Sequence, residues 1–153
     1  MKISPIVLFA YNRPNHTKVM LETLSNCELF NKSDIYIFLD GPKFSAEDKY
    51  QVNKVSILVN RFKKKFKNVK VKKSHKNLGL FKNLTKGISL ILKKNDSIII
   101  LEDDLKLHKK FLVFMNKVLN LYKKNKKILQ ISGYSYPIKV YNNKTYLLNL
   151  IKS

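Results

Sequence analysis

The fold of this 153-residue chain is decided by the stretch Ser97-Ile98-Ile99-Ile100-Leu101-Glu102-Asp103-Asp104. Its apolar half has the length and the β-branched composition of a buried strand. Its acidic half places three of the ten acidic residues of the chain side by side where that strand ends. In open α/β sheets, ligands bind beyond the carboxyl ends of the strands. The stretch therefore predicts an α/β sheet with a ligand site at this edge.

The acidic triplet itself has two interpretations. Adjacent carboxylates repel one another and are costly to desolvate, and a bound divalent cation would remove most of that cost. Carboxylate oxygens suit Mg²⁺ or Mn²⁺. Alternatively, the triplet is a solvated acidic turn before a helix, with Asp104 near the N-cap. The triplet alone leaves both interpretations open.

Strand and helix patterns alternate along the whole chain. Helices are predicted to begin near Pro14, near Ser45 with Asp48 as a capping-box partner, at the segment around Gly79, and near Phe111. This alternation predicts a mostly parallel sheet covered on both faces, in a single domain over residues 1–153. The predicted strands are 6–10, 35–39, 69–71, 98–101 and 128–131, with 146–148 as a further candidate.

Each predicted helix carries an apolar stripe at helical spacing, which indicates a core-facing side. The stripe of the first helix is Val19, Met20, Thr23 and Leu24, and that of the second is Val52, Val55, Ile57, Leu58 and Phe62. The third has Phe81, Leu84, Ile88, Ile91 and Leu92, and the fourth has Phe111, Met115, Val118 and Tyr122.

The net charge of +21 is carried almost entirely by lysine, since Arg13 and Arg61 are the only arginines. Base-edge and phosphate recognition favour the bidentate guanidinium group, so this composition argues against specific nucleic-acid binding. The charge either attracts nucleotide diphosphates, anionic lipid headgroups or acidic glycans, or reflects compositional bias alone.

Cys27 has no disulfide partner, and neither a signal peptide nor a membrane span is predicted. A cytoplasmic protein is the expectation.

Four loops that follow predicted strands carry distinctive polar residues. In a parallel sheet all four lie on one rim, which then offers an arginine, an isolated carboxylate, a polar glycine-containing turn and a carboxylate cluster. Such a set suits a sugar linked to a nucleoside diphosphate, because an arginine and a metal ion neutralise the diphosphate and stabilise it as a leaving group. The four loops are residues 11–14, 40–42, 74–79 and 102–104.

These segments resemble the GT-A glycosyltransferases of the family 2 type and the nucleotide-sugar half of N-acetylglucosaminyltransferase I. The resemblance covers roughly residues 4 to 137, in the order and spacing of the family. It implies a GT-A, Rossmann-like three-layer α/β/α fold that transfers a sugar from a UDP-sugar donor to a glycan or lipid-linked acceptor. The matching segments are PIVLFAYNRPNHT from Pro5, IYIFLDGPK from Ile35, KNLGL from Lys76, IIILEDDL from Ile98 and ILQISGYSYP from Ile128.

The resemblance also implies a role for individual residues. Asp104 would bind Mn²⁺ or Mg²⁺, Asp103 would contact ribose or sugar hydroxyls, and Glu102 would contact the sugar. Asp40 would hydrogen-bond the base, and Arg13 would lie near the diphosphate. The remaining members of the predicted nucleotide-sugar site are Ala10, Tyr11 and Asn12 in the cleft, Asn77 and Gly79 in the donor pocket, and His75, which either contacts the nucleotide or is exposed.

The sequence departs from the family pattern at its carboxyl end. Relatives continue past the strand predicted at 128–131 and place an acceptor-binding half there, with a carboxylate base in inverting enzymes. This chain has no Asp or Glu after Asp104, and His108, the one downstream imidazole, is predicted to be structural. The catalytic base is therefore unknown, and the chain is interpreted as a donor-binding half.

Two alternatives remain beside the glycosyltransferase. One is a basic α/β module that binds nucleic acid or an anionic membrane, whose binding would fall steeply with salt and ignore Asp104. The other is an inactive remnant. Peripheral association with the inner face of the membrane is a further expectation, because many relatives act on lipid-linked or surface glycans.

Overall fold

The computed structural model describes residues 2–134, which form a three-layer α/β/α fold around an all-parallel sheet of four strands. The predicted α/β class and the parallel sheet are confirmed. The strands are β1 (Ile6–Ala10), β2 (Ile35–Leu39), β3 (Val69–Lys73) and β4 (Ile99–Glu102), in the spatial order β3-β2-β1-β4. The helices are α1 (Pro14–Ser25), α2 (Ala46–Lys65), α3 (Leu80–Leu92) and α4 (Phe111–Tyr122), with a short 3₁₀ helix at Phe30–Lys32.

The two faces of the sheet have different covers. Alternate side chains of β1 point to opposite faces, so Leu8 packs among α1, α2 and α4, whereas Val7 and Phe9 pack toward α3. The larger core includes Met20 and Leu24 of α1, Val55 and Val59 of α2, and Leu112 and Met115 of α4. The central strand is buried along its whole length, as the continuous apolar run at 6–10 predicts.

The apolar stripes are confirmed in part. Val19, Ile57, Phe81 and Leu92 were expected to face the core, but they are among the exposed large hydrophobic residues. In α1 the buried face runs through Thr17 and Leu21 instead of Val19. A face is set by which side of the helix meets the sheet, and hydrophobicity alone does not specify it when apolar residues occupy several sides. The residues of the predicted stripes that are buried are Met20, Leu24, Val52, Val55, Ile91 and Met115.

The fifth strand predicted at residues 128–131 is wrong. The backbone there forms no strand, the Ile128 amide donates to the carbonyl of Asn125 in a turn, and Leu129 is fully exposed. A four-residue apolar run does not by itself distinguish a strand from an irregular segment. β4 is consequently an edge strand of the described sheet, and its Ile100 is 46% exposed, so the strand predicted to be buried is buried only at alternate residues. The candidate strand at 146–148 lies outside the described residues.

Gly87 lets α3 approach the sheet closely. A Cβ atom at this position would lie 2.7 Å from Phe9 Cε1 and 3.2 Å from Phe38 Cγ. The two phenyl rings stack with centroids 5.5 Å apart, so neither can move freely. We expect Gly87→Ala to lower the free energy of unfolding by about 2 kcal/mol in a denaturant titration, although alanine has the better helix propensity. Ser89→Ala, at an exposed position of the same helix, isolates the propensity term and should not destabilise; equal effects would contradict the close packing.

Within residues 2–134, no helix is both long enough and apolar enough to cross a membrane.

Candidate functional site

A cavity of about 290 Å³ lies at the carboxyl edge of the sheet, where β1 and β4 meet. The chain crosses from β1 to β2 on one side and reaches β4 on the other side, so this is the point at which the strand order reverses. Ligands of open α/β sheets bind at such a point. Four loops contribute to the lining, which consists of Phe9, Ala10, Tyr11, Asn12, Arg13, Asp40, Lys43, Asn77, Gly79, Leu80, Asn83, Glu102 and Asp103.

The loop between β1 and α1 is fixed to the acidic triplet. The backbone amide of Tyr11 donates to Asp103 Oδ2 at 3.1 Å, and Thr17 Oγ1 lies 3.4 Å from the same oxygen. Thr17 also donates to the carbonyl oxygen of Arg13 at 2.8 Å, and Pro14 opens the helix without needing a donor partner. The first turn of α1 therefore holds Arg13 beside the acidic loop.

The three acidic side chains do not converge on one point. Asp103 is buried beneath the Tyr11 amide, and burial raises the pKa of its carboxyl group. Glu102 lines the cavity. Asp104, predicted as the metal ligand, is not among the lining residues; its Oδ2 accepts a hydrogen bond from Arg13 Nη1 at 2.9 Å in a half-exposed ion pair. Each residue of the triplet thus has a separate environment. Because the three side chains point apart and Arg13 pairs with Asp104, the carboxylates repel one another less.

This divergence decides how a metal ion would fit. The part of the chain that the structure describes contains no group of three or more His, Cys, Asp or Glu side chains able to hold a metal. Glu102 and Asp104 are both exposed; Glu102 lines the cavity, whereas Asp104 lies outside the lining and pairs with the lining residue Arg13. Mg²⁺ is commonly held by one or two carboxylates together with substrate phosphates and water. The residues therefore fit a metal held jointly by a diphosphate and an accessible carboxylate, which the resemblance assigns to Asp104, and the described residues form no preformed metal centre.

The buried Asp40 lines the cavity and also joins the loop after β2 to the loop before α3 through hydrogen bonds. Its Oδ1 accepts from the amides of Gly41 and Leu78, both at 2.9 Å. Its Oδ2 accepts from the Gly79 amide at 3.0 Å and from Asn77 Nδ2 at 3.4 Å. A carboxylate has about four lone-pair sites, and protein donors occupy all of them. Contact with a nucleotide base, which the resemblance implies for Asp40, would require one of these donors to give way.

The same carboxylate shapes the loop that begins α3. Gly79 has a φ of +79°, a conformation that favours glycine, and its amide is one of the Asp40 donors. Gly41 approaches the loop so closely that a Cβ atom would lie 2.5 Å from the carbonyl carbon of Lys76. Asn77 and Gly79 reach the cavity through these contacts, whereas His75 is exposed in the same loop and does not line the cavity.

Sequence reasoning missed several residues of the site. Asn83 is buried on the inner face of α3 with Gly87 and Ile91. A polar residue on the apolar face of a helix is the signal by which the sequence could have identified it. Lys43 follows the turn after β2 and adds a cation to the lining, but nothing in the lysine-rich sequence distinguishes it. Asp48 was expected only as a capping-box residue. The described residues that were predicted for the site and that line the cavity are Ala10, Tyr11, Asn12, Arg13, Asp40, Asn77, Gly79, Glu102 and Asp103.

Asp48 makes only half of the predicted capping box. Ser45 Oγ accepts from the Asp48 amide at 3.1 Å and caps α2, as predicted. The Asp48 carboxylate turns away from Ser45 and accepts from Tyr11 Oη at 2.6 Å and Asn12 Nδ2 at 2.7 Å. Burial and Asp48 together raise the pKa of Tyr11 to about 12. Burial alone would raise the pKa of Asp48, but the hydrogen bonds that it accepts outweigh burial and lower it.

Neither the protein-family models nor the curated proteins with which the sequence was compared include a match to it. The functional assignment therefore depends on the motifs and on the geometry of the cavity.

Proposed function

We propose that this protein is the donor-binding domain of a metal-dependent glycosyltransferase and that its cavity takes a nucleoside-diphosphate sugar. The observation that carries the proposal is the convergence of four loops on one cavity at the point where the strand order reverses. Nine of the residues that the sequence predicted for such a donor come together there. The resemblance to GT-A enzymes favours UDP as the nucleotide.

The charges around the cavity are suited to a diphosphate. Arg13 and Lys43 contribute cations to the lining, and α3 begins at the cavity, with the partial positive charge of its amino terminus near Gly79. Glu102 and Asp103 also line the cavity, where carboxylates can accept hydrogen bonds from sugar or ribose hydroxyls. The cavity thus offers cations for phosphates and carboxylates for hydroxyls.

A metal ion bound at Asp104 would supply Lewis-acid stabilisation of the diphosphate leaving group. The protein contributes the carboxylate that orients that ion and the arginine beside it. In the structure Arg13 neutralises Asp104, so arrival of a metal would release Arg13 toward the phosphates. Asp104 then exchanges one cation for another, and its charge is compensated in both states.

The acceptor side of the reaction is not provided by the described residues of the cavity. The lining carboxylates are Asp40, Glu102 and Asp103, each assigned to the donor or to the loop structure. We propose a glycan or a lipid-linked glycan as acceptor, a cytoplasmic location and contact with the inner face of the membrane. The lysine excess supports the last point, because anionic headgroups attract polybasic surfaces.

Calorimetric titration of the wild-type protein with UDP tests the proposal. We expect binding in the presence of Mn²⁺ and at least tenfold weaker binding in its absence, because the metal offsets the charge of the diphosphate. Titration with Mn²⁺ alone should show little heat, because one carboxylate alone makes an incomplete coordination shell. Binding of UDP that is indifferent to Mn²⁺, or no binding at all, would contradict the proposal. An affinity for anionic vesicles or oligonucleotides that falls steeply with salt, without any UDP binding, would instead favour the basic binding module.

A further inference from the structure

The Asp48 carboxylate joins two loops of the cavity although Asp48 does not line it. Three groups donate to it: Tyr11 Oη at 2.6 Å, Asn12 Nδ2 at 2.7 Å and the backbone amide of Lys43 at 2.6 Å. All three donors belong to residues that line the cavity. Tyr11 and Asn12 come from the loop after β1, and Lys43 comes from the loop after β2. One buried carboxylate therefore sets the relative position of two cavity walls.

A purely local role would leave this side chain elsewhere. At the third position of a helix, an acidic side chain normally reaches back to the N-cap amide. Asp48 keeps its own amide on Ser45 Oγ but directs its carboxylate away from the helix and across to the β1–α1 loop. Its side chain is buried, and an ionised carboxylate is stable there because it accepts several hydrogen bonds. The N-cap bond to Ser45 needs neither the bond to Tyr11 nor the bond to Asn12, which come from 37 and 36 positions away in the chain.

Tyr11 is thereby held at both ends. Its backbone amide donates to Asp103 at 3.1 Å, and its phenol donates to Asp48 at 2.6 Å. The residue consequently spans the distance between the acidic loop after β4 and the first turn of α2. A loop fixed at two points loses little conformational entropy when a ligand binds, and this favours affinity.

We propose that Asp48 is a positioning residue of the nucleotide-sugar site, acting through Tyr11, Asn12 and Lys43. The inference rests on the proposed function for the identity of the ligand. The claim that Asp48 orders the two loops does not depend on that function.

Asp48→Asn is the sharpest test because it preserves the size of the side chain and the backbone amide that donates to the N-cap residue Ser45. Asn12 donates to Oδ1, whereas Tyr11 and Lys43 donate to Oδ2. An asparagine offers a carbonyl oxygen on one side only, so its amino group must face a donor on the other side. We expect the affinity for UDP with Mn²⁺ to fall about tenfold, the loss typical of hydrogen bonds to a charged group. Tyr11→Phe, which removes one donor, should have a smaller effect.

Glu47→Gln is the matched control. Glu47 is the other acidic residue in the first turn of α2, and it is exposed and is not among the residues that line the cavity. Removing its charge weakens the interaction with the helix dipole as Asp48→Asn does, but it leaves both cavity loops intact. UDP affinity in this variant should equal that of the wild type. If Asp48→Asn also binds UDP as the wild type does, the positioning role is overturned while the glycosyltransferase proposal stands.

A second measurement covers the case in which the wild type binds no UDP. Backbone ¹⁵N relaxation at residues 10–13 and at Lys43 reports the order of the two loops without any ligand. We expect lower heteronuclear NOE values at these positions in Asp48→Asn and unchanged values in Glu47→Gln. Unchanged values in both variants would overturn the positioning role. Absence of UDP binding together with loop disordering in Asp48→Asn would overturn only the proposed ligand.

Discussion

Replacement of Asp104 by alanine is expected to abolish the effect of Mn²⁺ on UDP binding. Asp104 is exposed beside the cavity and is the metal ligand that the resemblance implies, whereas Asp103 is buried beneath the Tyr11 amide. Because the resemblance assigns Glu102 to the sugar, loss of Asp104 would leave a metal with only the diphosphate and water as ligands. Mn²⁺ would then bind protein-bound UDP no better than it binds free UDP. Calorimetry should show the ratio of affinities with and without Mn²⁺ falling from at least tenfold to about one.

The same variant makes a second, opposite prediction for the metal-free protein. Arg13 donates to Asp104 at 2.9 Å, so loss of Asp104 frees a guanidinium group that lines the cavity. Metal-free UDP binding by Asp104→Ala should therefore equal or exceed that of the wild type. Asp96→Ala removes a carboxylate that pairs with Lys2 and Lys123, outside the lining of the cavity, and should keep the Mn²⁺ effect. A full Mn²⁺ effect in Asp104→Ala would exclude Asp104 as the metal ligand.

The sequence predicted the sheet well because buried parallel strands have a local signature. The run at 6–10 is apolar throughout, and the structure buries all five residues at the centre of the sheet. Polar residues directly after such strands must lie on one rim, so Arg13, Asp40 and Asp103 could be assigned to one site without any coordinates. The irregular segment at 128–131 has a similar apolar composition, and only the three-dimensional path of the chain shows that it is not a strand.

The bonding partners within the site could not be predicted. Asp48 has the spacing of a capping residue, and the sequence contains nothing that indicates a bond to Tyr11 across 37 positions. The acidic triplet suggested a common metal centre, but its three side chains diverge, because successive residues at the end of a strand point to different sides. Local patterns specify which residues reach the rim, and tertiary packing decides which of them meet.

Asp40→Ala is expected to be the most destabilising substitution in the site. The Asp40 carboxylate is 5% exposed and accepts from the amides of Gly41, Leu78 and Gly79 and from Asn77. Alanine leaves these donors without their acceptor inside a closed loop, and each buried donor that stays unsatisfied costs about 1–3 kcal/mol. Because water can reach part of the vacated space, we expect a loss of about 3 kcal/mol in the free energy of unfolding, measured by denaturant titration.

Asp34→Ala is the control for this substitution. Asp34 is also an aspartate next to β2, but its side chain is 61% exposed and pairs with Lys70 at 3.2 Å. Exposed ion pairs of this kind contribute little to stability, so the control should unfold close to the wild-type midpoint.

The stability and UDP binding of Asp40→Ala also separate the two roles considered for Asp40. A variant that folds with wild-type stability but loses UDP binding would assign Asp40 to base recognition, whereas a large loss of stability assigns it to holding the loop that carries Asn77 and Gly79 into the cavity.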